Sequence, residues 1–170
     1  DLSAAALWVG LTASLYTAVQ FAGAPLLGAL SDRHGRKPVL LVSLLISAIA
    51  FLGSALAPTL AVFLATRALA GLGGASLTVA QTYIADVSAP ADRAKNYGMI
   101  GAAFGLGFII GPALGGWLGG FDLRLPFLVA SGVALLNLAY GILFMQESHG
   151  PENRRAFSWK EANPLGWIVV

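Results

Sequence analysis

Gly28-Ala29-Leu30-Ser31-Asp32-Arg33-His34-Gly35-Arg36-Lys37-Pro38 is the stretch on which the reading of this chain turns. It closes one apolar run over residues 6–30 and opens another over 38–56, leaving only residues 31–37 as a connection. Each run is about 20 residues or longer, enough for a helix to cross a hydrocarbon core. A turn this tight between two such helices needs a residue free to take positive φ, which Gly35 supplies, while Pro38 suits the first turn of the second helix. The cations Arg33, Arg36 and Lys37, with His34, anchor the turn in water. Asp32 at the membrane boundary is not needed for anchoring, and so points to a specific partner.

Outward from this loop, three more apolar runs cover residues 60–84, 97–118 and 125–145. The chain of 170 residues is 57% hydrophobic and only 11% charged, against about 25% charge in a soluble domain. Five successive segments that are apolar all round leave no amphipathic face for water. The expected fold is therefore an all-α membrane protein with five transmembrane helices. The net charge of +2 is too small to mark a nucleic-acid surface; the distribution of charge is what informs. Arg33, Arg36, Lys37, Arg93, Lys95, Arg154, Arg155 and Lys160 fall on one side of the spans, Arg124 on the other, and Arg67 within one. By the positive-inside rule the crowded side is cytoplasmic.

The short connections at 57–59 and 119–124 outside, and at 31–37 and 87–96 inside, require neighbouring helices to run antiparallel. Residues 1–145 form the expected bundle. Residues 146–170 begin as a solvated cytoplasmic linker, Gln146-Glu147-Ser148-His149-Gly150, and turn apolar again from Asn163, as at the start of a further span. The chain opens at Asp1 with no signal peptide, so it is expected to be an interior piece preceded by a helix. There is no cysteine, which removes disulfide, thiol and cysteine-zinc chemistry.

The quoted loop is similar to the signature Gly-x-x-x-Asp-Arg-x-Gly-Arg-Arg/Lys of the major facilitator superfamily. Arg67-Ala68-Leu69-Ala70-Gly71-Leu72-Gly73-Gly74-Ala75 resembles that family's intramembrane arginine motif. Gly107-Phe108-Ile109-Ile110-Gly111-Pro112-Ala113-Leu114-Gly115-Gly116 resembles the Gly-x-x-x-Gly-Pro-x-x-Gly-Gly motif of its drug/proton antiporter branch. The resemblance covers essentially the whole chain. It implies the second to sixth helices of a twelve-helix transporter in the cell's inner (plasma) membrane, acting with helices that this chain lacks.

Several residues follow as candidates. A charged arginine in hydrocarbon costs several kcal/mol unless it meets a wet cavity or partners, so Arg67 is expected to face a cavity; the alternative is snorkelling, since it lies about 10 Å into its span at 1.5 Å per residue. Gly107, Gly111 and Gly115 recur every four residues and make a smooth face that allows close helix packing, and Pro112 should bend the same helix. Asp86 ends the third span on the cytoplasmic side and can meet Arg36 there, while Asp32 can face the positive end of a helix from outside this chain. With Gly28, Arg33 and Gly35, these make a cytoplasmic gate. Tyr16 and Gln20 share a helix face and are expected to line the cavity. Gln81 and Asn137, also at membrane depth, either line it or bond a neighbouring helix.

Leu15-Tyr16-Thr17-Ala18-Val19-Gln20-Phe21-Ala22-Gly23-Ala24-Pro25, Tyr83-Ile84-Ala85-Asp86 and Gln146-Glu147-Ser148 look like the tetracycline-resistance efflux pumps. One departure matters: Ala50-Phe51 stands where those pumps typically carry an acidic residue before an aromatic. The resemblance implies proton-coupled efflux of a hydrophobic drug or metabolite, with small-molecule substrate, protons and the lipid bilayer as partners. A facilitator of sugars or other metabolites shares the fold, although the glycine-proline motif argues against it. A non-transporting membrane subunit is the remaining class. No Gly-x-Ser-x-Gly, His-Glu-x-x-His or Gly-Lys-Ser/Thr string is present, so no catalysis, cofactor or metal is expected.

Overall fold

A computed structural model describes residues 2–159, 162 and 163; Lys160 and the expected new span at 164–170 lie outside the described residues. The elements are α1 (Leu2–His34), α2 (Arg36–Leu56), α3 (Leu60–Gly74), α4 (Leu77–Val87), α5 (Arg93–Gly119) and α6 (Leu125–Phe144), followed by a 3-10 turn at Pro151–Asn153. There is no strand among the described residues. Five helical spans are long and apolar enough to cross a membrane, with α3 and α4 counted together.

The bundle is inverted relative to a soluble one. Most of its buried positions are small or weakly polar, among them Ala48, Ala50, Ala55, Ala70, Ser43, Ser54 and Ser131, with Leu27, Val79 and Arg36 as larger members. Large side chains point outward, with Phe108 78% and Leu136 72% exposed. In lipid, burying large apolar groups gains little, so helices associate where small residues let backbones approach and hydroxyls can bond across. The Ser131 hydroxyl donates to the Ala48 carbonyl at 2.9 Å and ties α6 to α2. α2 lies between α3 and α6, and α1 packs on α3 and α4. α5 touches only its chain neighbours α4 and α6 appreciably and buries no residue.

The third span, expected as one helix over 60–84, is divided at Ala75 and Ser76. Gly71, Gly73 and Gly74 weaken the helix there, and the same absence of side chains lets α1 and α2 press against it. A Cβ on Gly71 would collide with the Tyr16 carbonyl, one on Gly73 with the Ser47 hydroxyl, and one on Gly74 with the Tyr16 hydroxyl. Backbone groups at a break within the bilayer need partners. Ala75 N–H donates to the Gly71 carbonyl at 3.0 Å and Ser76 N–H to that of Gly73 at 3.2 Å. The Gly74 carbonyl accepts from Gln20 Nε2 at 3.2 Å.

Candidate functional site

The C-terminal ends of α1 and α4 and the N-terminal end of α2 converge on one side chain. Gly35 takes φ 103°, the only positive φ among the described residues, so the chain reverses at once and Arg36 turns back into the bundle. Its side chain is 7% exposed. The guanidinium donates from Nη1 to the Ser31 hydroxyl at 2.6 Å and to the Asp32 carboxylate, and from Nε to Asp86 Oδ2 at 3.2 Å. A planar donor array thus joins α1 to α4 through two carboxylates, the geometry at which arginine exceeds lysine. Asp32, expected to face a helix beyond this chain, is engaged by Arg36 because the tight turn brings the two side chains together.

Glu147 completes the arrangement and was not among the residues the sequence marked as candidates. Its carboxylate accepts from the backbone N–H of Arg36 at 2.8 Å and of Lys37 at 3.2 Å, the first turn of α2. It also accepts from His149 N–H at 3.0 Å. α2 has no side-chain cap from its own N-cap residue, Gly35, and Glu147 supplies a negative group at the positive helix end. Ser148 donates to Asp86 at 3.2 Å, the Tyr83 hydroxyl to the Gln146 carbonyl at 3.1 Å, and Arg155 N–H to the Asp32 carbonyl at 3.1 Å. The expected solvated linker is therefore fastened at its start. The Gln146-Glu147-Ser148 string was the available signal, but spacing does not show what lies opposite it. Gly28, Asp32, Arg36, Asp86 and Arg93 line a polar cleft of about 740 Å³. Arg33 stays exposed at the end of α1, outside this network.

Within the membrane the candidates divide. Arg67 lies between α2, α3 and α6, its Nη2 donating to the Ser54 hydroxyl. The rings of Phe51, Phe63 and Phe127 surround its Cζ at 5.8, 5.2 and 5.1 Å. Gln20 bonds the break in the third span and, with Thr17, Phe21 and Thr78, borders a pocket of about 280 Å³. Tyr16 packs against Gly71 and Gly74. Asn137 is exposed on α6, beside Tyr83 and Tyr140 in a groove of about 460 Å³. Gln81 is exposed on α4, its carbonyl accepting from the Tyr97 hydroxyl at 3.0 Å. A Cβ on Gly107, Gly111 or Gly115 would meet nothing within 4 Å; with Pro112, Gly107 lines an open groove instead. The glycines on which helices close are Gly71, Gly73 and Gly74 on α3, with Gly53 on α2 and Gly141 on α6.

A helical bundle with five apolar spans, large side chains outward and a charge cluster gathered at one end defines a polytopic membrane protein. The sequence profile of the Major Facilitator Superfamily matches residues 1–168, and the chain belongs to that family. It is a multi-pass protein of the cell (plasma) membrane. It is 46% identical over 156 residues to "Tetracycline resistance protein, class C" of Escherichia coli, covering 92% of this chain and 39% of that protein. It is 34% identical over 158 residues to "Multidrug resistance protein 2" of Bacillus subtilis (strain 168), covering 91% of this chain and 40% of that protein. The crystal structure of the human organic anion transporter MFSD10 (TETRAN) superposes with a TM-score of 0.80 at 33% identity, covering 90% of this chain and 36% of that one. The chain thus spans about two fifths of the length of its relatives.

Proposed function

We propose that this chain is the second to sixth helices of a twelve-helix exporter that exchanges a hydrophobic drug or metabolite, most simply a tetracycline-like compound, for protons by alternating access. The observation that carries the reading is Arg36 held between Asp32 and Asp86 at the cytoplasmic mouth. Its bonds tie the ends of α1, α2 and α4 into one surface at the mouth, so the cluster sets how this half meets the helices beyond the chain and works as a latch on the outward-facing state when the halves rock. Protonation of either carboxylate weakens the latch, which gives protons a means to bias the equilibrium. Identity to the tetracycline resistance protein supports the substrate class.

One observation favours a second reading, a facilitator without proton coupling. Position 50 is a buried alanine, so α2 offers no intramembrane carboxylate as a proton site. Everted vesicles containing the full-length transporter decide between the two. Adding tetracycline to energised vesicles should release protons; substrate movement without proton flux supports the facilitator, and neither defeats both. Exchanging the charges of Arg36 and Asp86 tests the latch: each single reversal should abolish transport, and the double reversal should restore part of it.

A further inference from the structure

Arg67 is a permanent cation at membrane depth, yet the ion pairs among the described residues all belong to Arg36. Three ring faces within 6 Å replace an anion, each worth about 0.5–2 kcal/mol. Ring faces attract charge but scarcely fix which edge of a guanidinium points where. Direction requires a hydrogen bond, and Arg67 makes only one among the described residues, from Nη2 to Ser54 Oγ. Its Nε is buried without an acceptor among the described residues, so none of their polar groups holds that edge.

Ser54 is well suited to setting the direction. It is 6% exposed. Its hydroxyl lies 2.7 Å from the Ala50 carbonyl and 2.8 Å from Thr66 Oγ1, which itself lies 2.7 Å from the Phe63 carbonyl. A hydroxyl has one donor and two acceptor sites; whether Ser54 gives its proton to Ala50 or to Thr66, its oxygen keeps an acceptor site for Arg67. Its position near the outer end of α2 also draws the Arg67 side chain towards the outer face.

We infer that Ser54 is a positioning residue, which together with the faces of Phe51, Phe63 and Phe127 holds and orients the Arg67 charge without a carboxylate. This rests on the transport reading, in which the direction of the cation matters because substrate or protons pass it. In the full-length transporter, Ser54→Ala should raise the KM for exported substrate about tenfold, with the maximal rate per accumulated protein nearly unchanged, as for loss of one hydrogen bond to a charged group. Ser54→Thr should restore the KM. Thr66→Val removes the neighbouring hydroxyl contact but not the arginine's, and should leave the KM near that of the parent. An unchanged KM in Ser54→Ala, or an equal rise in Thr66→Val, overturns the assignment.

A spectroscopic arm is independent of transport and of how well the Ser54 variants accumulate. With arginine ¹⁵N-labelled in lipid nanodiscs, the Arg67 Nε–H, identified by its loss in Arg67→Gln, should be shifted upfield by the ring faces and exchange slowly with water. Phe127→Leu should return it towards the other arginines. A resonance already among those of exposed arginines rejects the clamp even if transport is found; a shifted one upholds the clamp even if transport is not.

Discussion

The Glu147 carboxylate lies 2.8 Å from the backbone N–H of Arg36, 111 positions earlier in the chain. The helix that begins at Arg36 is thus capped by the segment that follows α6, and that segment and the turn before α2 form one unit. Glu147→Gln should destabilise the chain in nanodiscs by about 1 kcal/mol, the worth of a charged group at a helix N-terminus. Thermal unfolding checks this, and hydrogen exchange at Arg36 and Lys37 should quicken. Unchanged exchange at those two amides would remove the cap from consideration.

Gly35 should tolerate no side chain. Its φ of 103° is strained for any L-residue, and a Cβ there would also run into the Glu147 carboxylate. Gly35→Ala should cost about 1–3 kcal/mol. In combination with Glu147→Ala the loss should be less than the sum, because the collision is relieved while the backbone strain persists. Additive losses by thermal unfolding would show that the two do not meet.

The two glycine sets should respond oppositely. Gly73→Ala drives a methyl into the Ser47 hydroxyl and against the Ser43 carbonyl, and should cost about 1–3 kcal/mol as overpacking. Gly107→Ala meets open space and should leave this chain's stability unchanged or raise it by up to about 1 kcal/mol through helix propensity. Melting curves of the two variants side by side are the check, and equal losses would contradict the packing described.

Arg36→Lys should reduce transport by the full-length protein at least tenfold, on the order expected when a planar fork is replaced by a point charge. Lysine cannot serve Asp32, Asp86 and Ser31 together. Transport within a factor of two of the parent would mean that charge alone suffices.

Because the chain has no cysteine, single-cysteine variants report sidedness directly. In intact cells an impermeant maleimide should label Asp122→Cys, in the connection before α6. It should reach Arg154→Cys, in the segment after α6, only once the membrane is opened. Labelling of Arg154→Cys from outside would invert the topology.

Most of the fold was legible in the sequence because the bilayer imposes length and apolarity on every span and separates cations from the outer face. The same constraint explains what was legible of the site. A charged position in or at the edge of an apolar run costs enough to stand out, as Arg67 and Asp86 do, and the short reversal between two spans singles out Gly35. Asp86 and Arg36 were expected to meet, since both belong to cytoplasmic helix ends joined by short connections.

What the linear order could not convey is which small residues meet a neighbour. Regular spacing marked Gly107, Gly111 and Gly115, whereas Gly71, Gly73 and Gly74 receive α1 and α2, because close approach depends on where helices cross and not on period. Gln20 drew notice as a polar face residue; only the break in the third span gave it a carbonyl to satisfy. Composition and spans are set residue by residue through transfer from water to lipid, so the sequence alone determined them. The capping of α2 by Glu147 and the cradle of Arg67 join groups far apart along the chain through short-range, directional forces, and only the packed bundle decided those.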